Sequence, residues 1–226
     1  MFGAGYYPAP VTDVAREVVW TVVVGGGEGA RFGAPKQYEA LGAGRVIDLA
    51  VAVATAASDG VVVVVPKADA PREGAVAGGA TRSASVRAGL AAVPDEATIV
   101  CVHDAARPLA SEALFAAAVA AVHAGADAAV PAVAVADTIK VVDGSGSVVA
   151  TPDRSTLVAV QTPQAFRAHV LRQAHESGAD STDDAVLVER LGGRVATVPG
   201  EPWNRKVTEP DDLEWARRWL ATRVST

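Results

Sequence analysis

The residues best suited to chemistry lie where an apolar run, Val22-Val23-Val24, empties into Gly25-Gly26-Gly27-Glu28-Gly29-Ala30-Arg31, with Pro35-Lys36-Gln37 close behind. Glycines leave backbone N–H groups open with no Cβ atoms in the way, so such a turn can wrap an anion. Arg31 and Lys36 add the fixed positive charge that a polyphosphate needs. A Walker loop requires Lys followed by Ser or Thr after its last glycine, whereas Lys36 stands between Pro35 and Gln37. A dinucleotide fingerprint needs an acid at the end of a second strand, and Asp48 falls inside a predicted helix instead. Two readings stay open. The turn cradles a triphosphate for nucleotidyl transfer, or it is an ordinary tight turn.

Other clusters stand where predicted strands end. Gly78-Gly79-Ala80 leads into Thr81-Arg82-Ser83-Ala84-Ser85-Val86, a polar loop that opens a helix; its backbone and Ser85 can meet a base or ribose, with Arg82 as support. The next apolar run feeds His103-Asp104-Ala105-Ala106-Arg107-Pro108. In a parallel sheet the carboxyl ends of strands form the ligand crevice. An Asp there can hold a ribose, a substrate hydroxyl or a metal that bridges phosphates, and Arg107 can pair with a phosphate bidentately. His103 reads as a structural imidazole. Gln161-Thr162-Pro163-Gln164, Thr182-Asp183-Asp184 and Asn204-Arg205-Lys206-Val207-Thr208 follow. Asp183 and Asp184 suit a helix N-terminus, and Lys206 is placed for an acidic substrate. No HExxH pair, Cys–His metal set or GxSxG elbow competes with these clusters.

The elements that must position these residues follow from patterning. Strands are expected at 18–24, 61–66, 98–102, 128–133 and 195–199, and helices at 46–57, 83–92, 111–124, 165–176, 183–191 and 210–221, with Ser111 capping one and Thr208 with Asp211 capping the last. Strands alternating with helices imply βαβ units and a mostly parallel wound sheet. Residues 137–160 break that rhythm: two short apolar runs flank Gly144-Ser145-Gly146-Ser147, a hairpin arm that cannot bury its own apolar side and therefore seeks a partner subunit. Residues 1–17 read as a loose leader and 18–226 as one domain. The chain has 226 residues, half of them hydrophobic but only 5% aromatic, so Ala, Val and Gly carry the packing. A net charge of -6 argues against a nucleic-acid partner. Cys101, the single cysteine, lies in an apolar run as a core thiol. The almost wholly apolar stretch 113–136 contains Gly125, Asp127 and Pro131 and predicts a helix, a turn and a strand, not a membrane span. No basic region precedes a hydrophobic stretch at the N-terminus, so a cytoplasmic chain is expected. Trp215 and Trp219 share a helix face, as packing residues.

In unbroken order, Gly27-x-Gly29-x-Arg31 with Pro35-Lys36-Gln37, Arg82-x-x-Ser85-Val86, His103-Asp104-Ala105-Ala106-Arg107-Pro108, Asp137-Thr138-Ile139-Lys140, Gln161-Thr162-Pro163-Gln164, Thr182-Asp183-Asp184 and Asn204-x-Lys206-x-Thr208 resemble the 2-C-methyl-D-erythritol 4-phosphate cytidylyltransferases. Ribitol-5-phosphate cytidylyltransferases share much of the pattern. The resemblance implies a Rossmann-like three-layer α/β sandwich, a homodimer with interlocked arms, Mg²⁺, and CMP transfer from CTP to a sugar-alcohol phosphate in non-mevalonate isoprenoid precursor synthesis. It assigns Arg31 and Lys36 to catalysis. Gly26, Gly27, Glu28, Gly29, Ala30, Gly79, Ala80, Arg82 and Ser85 would bind the nucleotide. Asp104, Arg107, Thr162 and Lys206 would surround the acceptor, joined by Arg154 from the second subunit. Asp104 is the one protein candidate for touching the metal, most of whose contacts would come from CTP phosphates. The chain departs from the family pattern at Gly25-Gly26, where alanines are usual, and in the short spacer Phe32-Gly33-Ala34. An NAD-dependent oxidoreductase and a non-catalytic homologue are the more distant alternatives.

Overall fold

The computed structural model describes residues 17–27 and 32–224. Residues 1–16 of the expected leader, and Glu28, Gly29, Ala30 and Arg31 of the first turn, lie outside the described residues. From the N-terminus, β1 (Val19–Val24) leads through a 3₁₀ turn (Lys36–Tyr38) and a small hairpin, β2 (Ala40–Leu41) with β3 (Gly44–Arg45), into α1 (Val46–Ala57) and β4 (Gly60–Val65). A short α2 (Ala70–Glu73) and β5 (Val76–Ala77) precede α3 (Arg82–Leu90), β6 (Ile99–Asp104), α4 (Glu112–His123) and β7 (Ala128–Ala134). The arm hairpin is β8 (Val141–Val142) with β9 (Val148–Ala150). Then come β10 (Val158–Val160), β11 (Gln164–Arg167), α5 (Ala168–Glu176), α6 (Asp184–Arg190), β12 (Val195–Pro199) and α7 (Pro210–Val224).

The central sheet runs β10-β7-β11-β6-β1-β4-β5, with β12 also on β7. β1 pairs in parallel with both β4 and β6, β4 with β5, and β7 with β12. Val22 and Val23 show why β1 is central: successive side chains point to opposite faces, and both are fully buried. On one face Val22, Val64, Val100 and Val102 pack with α3, α5 and α6. On the other, Val23, Val65, Ile99 and Cys101 pack with α1 and α4. The result is the expected Rossmann-like three-layer sandwich. The Cys101 thiol is pushed up to about 12 by burial, as befits a core residue. A third cluster seats α7 on the β2–β3 hairpin through Leu41, Val46, Val207, Leu213 and Ala216.

Local signals set most helix starts. Ser111 Oγ accepts the Leu114 N–H at the head of α4, and Thr81 does the same for Ala84 at the head of α3. Asp48, three residues into α1, accepts the Arg45 N–H at 2.8 Å. It is a capping carboxylate, which disposes of its reading as a ribose-binding acid. The apolar stretch 113–136 folds as α4, a turn and β7, and no helix among the described residues is long and apolar enough to cross a membrane.

The helix expected over 165–176 begins only at Ala168. Residues Gln164–Arg167 instead form β11, antiparallel between β6 and β7. Ala165 and Phe166 are fully buried there, and a short apolar run of this kind carries no period that separates strand from helix. The cap of α7 also differs: Asp212, not Asp211, accepts the N–H groups of Thr208 and Glu209. Thr208 is thus a backbone donor there and not the side-chain cap. Within the 137–160 segment, Val158–Val160 belongs to the central sheet as an antiparallel edge on β7, and a 3₁₀ turn spans Arg154–Thr156.

Candidate active site

Strands β1, β4 and β6 all run the same way, so their carboxyl ends open on one edge. Backbone bonds there tie Gly25 to Val64, Gly78 to Val65 and Ala105 to Val24. A cavity of about 530 Å³ sits on this edge. Gly26 and Gly27 line it together with Lys36, Gly79, Ala80, Arg82, Ser85, Asp104 and Lys206. Every described residue expected to bind nucleotide is therefore in one place, along with Lys36 and two of the acceptor candidates.

Close approach explains two of the glycines. A Cβ on Gly26 would meet Ser85 Oγ at 2.9 Å, and one on Gly79 would meet Ala84 Cβ at 2.4 Å. Both turns lie against the first turn of α3, and a side chain at either position would force the turn and that wall apart. Ser85 Oγ meanwhile donates to Thr81 O at 3.0 Å. Lys36, also on the cavity lining, opens the 3₁₀ turn after Pro35, with Gln37 buried beside it.

Asp104, the last residue of β6, is the electrostatic centre. Arg82 Nε donates to its Oδ1 at 3.2 Å and Lys206 Nζ to its Oδ2 at 2.6 Å. Burial alone would raise its pKa, but Arg82, Lys206 and Arg107 outweigh that and hold the carboxyl well below the usual range. The Arg82 guanidinium is in turn held above its ordinary value: burial lowers it, but Asp104 and Asp184 outweigh burial. Arg107 stands beside this group instead of lining the cavity. Its NH1 donates to Asn204 O at 2.7 Å and its NH2 to Val160 O at 3.3 Å. Burial, with Arg82 adding to it, lowers its pKa.

Thr162 lies behind Asp104, not in the cavity. Its Oγ1 accepts the Asp104 N–H at 2.9 Å and meets His103 Nδ1 at 3.1 Å. His103 Nε2 faces the Arg107 carbonyl at 3.2 Å, which can only accept. The proton is therefore on Nε2, and Nδ1 accepts from the threonine hydroxyl. His103 is fully buried and its pKa is pushed down to about 4 by desolvation, the neutral structural imidazole expected of it. Asn204 Nδ2 donates to Thr162 O at 2.9 Å, and Val207 N–H to Ala106 O at 2.8 Å. These bonds clamp the segment that carries Lys206 against the end of β6. Arg154 is distant in role: exposed at the base of the arm, it donates to Ala136 O at 2.7 Å.

The sequence set Asp184 at a helix N-terminus beside Asp183 and gave no sign of its contact with Arg82 or of His175. Asp183 does cap α6, accepting the Ala185 N–H at 2.9 Å. Asp184 is instead fully buried and accepts from Arg82 NH1 at 2.6 Å. An acidic pair at a helix start gives no sign of which member turns inward. Among the described residues no three His, Cys, Asp or Glu side chains converge as a metal site. Asp104 is the single carboxylate among the described residues that line the cavity, and cations occupy both of its oxygens. This donor set does not fit a protein-held Mg²⁺.

A parallel-sheet crevice walled by glycine turns, with Lys36, Arg82 and Lys206 on its lining and one anchored carboxylate, fits a nucleotidyltransferase of the Rossmann-like α/β class. The family model of IspD, 2-C-methyl-D-erythritol 4-phosphate cytidylyltransferase, matches residues 19–222. A 2-C-methyl-D-erythritol 4-phosphate cytidylyltransferase of Rhodococcus opacus is 47% identical over 216 residues, spanning 89% of this chain and 95% of its own. The crystal structure of 4-diphosphocytidyl-2C-methyl-D-erythritol synthase from Anaerococcus prevotii superposes with a TM-score of 0.80 at 27% identity, over 91% of this chain and 99% of that one. The Thermus thermophilus cytidylyltransferase superposes with a TM-score of 0.76 at 33% identity, over 88% and 98% of the two chains. The chain belongs to the 2-C-methyl-D-erythritol 4-phosphate cytidylyltransferase family.

Proposed function

We propose that this protein transfers CMP from CTP to 2-C-methyl-D-erythritol 4-phosphate, releasing pyrophosphate and 4-CDP-2-C-methyl-D-erythritol, within non-mevalonate isoprenoid precursor synthesis in the cytoplasm. The observation that carries this reading is the single cavity that joins the glycine turns and Lys36 to Asp104 and Lys206. Gly26, Gly27, Gly79, Ala80 and Ser85 would hold the nucleotide with their backbone and one hydroxyl, continued by Glu28, Gly29 and Ala30. Asp104 would take acceptor hydroxyls, and Lys206, Arg107 and the second subunit's copy of Arg154 would take its phosphate. Thr162 supports this wall from behind.

In the reaction an oxygen of the acceptor phosphate attacks the α-phosphorus of CTP. The bond from that phosphorus to the bridging oxygen breaks, and pyrophosphate leaves with the electron pair. A phosphate monoester is mostly dianionic at pH 7, with its second pKa at about 6, so the nucleophile needs no general base. That matches a site whose neighbouring imidazole, His103, is sealed in the core. Catalysis then rests on in-line placement and on Lys36 and Arg31 neutralising charge as it builds on the triphosphate. Mg²⁺ would be carried by the triphosphate's own oxygens, since the described residues offer it no dedicated ligand set.

The exposed valines of the arm support a homodimer. Val142, Val148, Val149 and Val158 are each at least half exposed in the single chain. Pyrophosphate release measured with a panel of nucleotides and polyol phosphates tests the function. Turnover is expected with CTP and 2-C-methyl-D-erythritol 4-phosphate. Turnover of ribitol 5-phosphate alone would overturn the assignment in favour of the related cytidylyltransferase.

A further inference from the structure

We propose that Asp184 and His175 are positioning residues for this transfer, acting through Arg82 to hold the Arg82–Asp104–Lys206 wall of the cavity in place. The inference rests on reading the cavity as the CTP and polyol phosphate site. Neither residue lines the cavity. Asp184 opens α6 and His175 lies near the end of α5, so both belong to the helical layer that also holds α3. Asp184 is fully buried and His175 is 5% exposed. Asp184 Oδ2 accepts from Arg82 NH1 at 2.6 Å, and Asp184 Oδ1 meets His175 Nε2 at 3.0 Å. A carboxylate oxygen only accepts, so Nε2 carries the proton; Nδ1 is buried without a partner.

The contacts form one unbroken line: Lys206 to Asp104, Asp104 to Arg82, Arg82 to Asp184, Asp184 to His175. From Lys206 to Asp184 its cations and carboxylates alternate. Arg82 is shared between two acids, Asp104 through Nε and Asp184 through NH1, and the two contacts together fix where the guanidinium stands at the cavity wall. With the Asp184 charge removed, Arg82 has Asp104 as its remaining acid in the line. The guanidinium then closes onto that carboxylate and competes with Lys206 for its oxygens. The damage reaches the acceptor side of the site although Asp184 touches no ligand. An exposed pair could not act this way, because water would relax it. Inside the fold, loss of one partner leaves a charge that must find another.

Steady-state kinetics and CTP affinity of the full chain test this. Gln at 175 places an amide nitrogen near the position of the imidazole Nε2, whereas Leu keeps apolar volume without a donor. His175→Gln is expected to hold kcat/KM for the polyol phosphate within about twofold, and His175→Leu to lose on the order of tenfold at little cost in Tm, as for residues of one ion-pair network. A role in packing alone predicts the reverse order and would overturn the proposal. Asp184→Asn is expected to lose about tenfold or more in the native background but less than about twofold further in Arg82→Gln, because the two act as one unit. Additive losses would overturn it. Should Asp184→Asn fail to fold, the His175 pair decides alone. If the native chain binds CTP but turns over no polyol phosphate, the functional reading falls; the positioning role is then decided by calorimetric CTP affinities, with the same order of His175 variants expected and the reverse order overturning it.

Discussion

Lys36 and His103 illustrate two opposite uses of a basic side chain. Lys36 follows Pro35 at the cavity rim, where a triphosphate would meet it. Lys36→Ala is expected to lower kcat by about a hundredfold or more, the scale for one preorganised charge-stabilising group, with Tm nearly unchanged. Near-native turnover in that variant would remove Lys36 from catalysis. His103 instead serves the fold. Its neutral ring accepts from Thr162 and donates to Arg107 O, which aligns Asp104 from behind. The folded state keeps this ring neutral down to about pH 4, whereas an unfolded chain protonates it near 6.5. Unfolded chains therefore bind more protons in that window, and stability is full above the upper value and falls as pH drops toward the lower one. The loss is about 3 kcal/mol, from 1.36 kcal/mol per pKa unit. Urea melts between pH 7 and 4 would show it, and His103→Gln, which retains a donor for Arg107 O, should flatten that slope. An unchanged slope would deny His103 the effect. His103 was legible in the sequence as structural, since it follows the apolar run Ile99–Val102; Thr162 was expected around the acceptor and instead supports Asp104 from outside the cavity, through a partner 58 residues away.

Turns and helix heads were the most readable elements, because their determinants are local. Gly25 to Gly27, Gly78 and Gly79 stand where strands end, and Thr81 and Ser111 cap the next helices. The wall they form depends on contact between the Gly79 turn and α3. Gly79→Ala places a Cβ 2.4 Å from Ala84 Cβ and 3.1 Å from its carbonyl carbon, so backbone must move. We expect a stability loss of about 1–3 kcal/mol, the usual cost of overpacking, together with weaker CTP binding by calorimetry. Unchanged CTP affinity would show that this turn does not touch nucleotide. β11 was not readable for the opposite reason. Gln164–Arg167 becomes a strand because β6 and β7 leave a gap between them, a property of the assembled sheet and not of four residues.

The arm is the part of the molecule on which the proposed homodimer rests. β8 and β9 pair only with each other among the described strands, and the valines on them stay open to solvent in one chain. In the homodimer we propose, Arg154 of one copy would serve the cavity of the other. Replacing Val142 and Val149 with Asp should shift the protein to monomers in sedimentation velocity and depress turnover at all concentrations. An active native monomer would defeat the proposal. α7 plays the complementary part inside one chain. Trp203, Trp215 and Trp219 stack along it with Arg205 and Arg223 on their faces, and the cluster holds the Lys206 segment and the β2–β3 hairpin together.

From residues alone came the α/β alternation, the strands β1, β4, β6, β7 and β12 within a residue or two, and an ordered set of polar clusters at strand ends. These are written in short-range patterns of burial and turn chemistry. Tertiary structure decided which charges meet. Arg82 and Asp184 are 102 residues apart in the chain, as are Asp104 and Lys206. Whether an acidic pair faces water or a guanidinium at the cavity wall depends on where the chain returns, and only the helices packed beside α3 specify that.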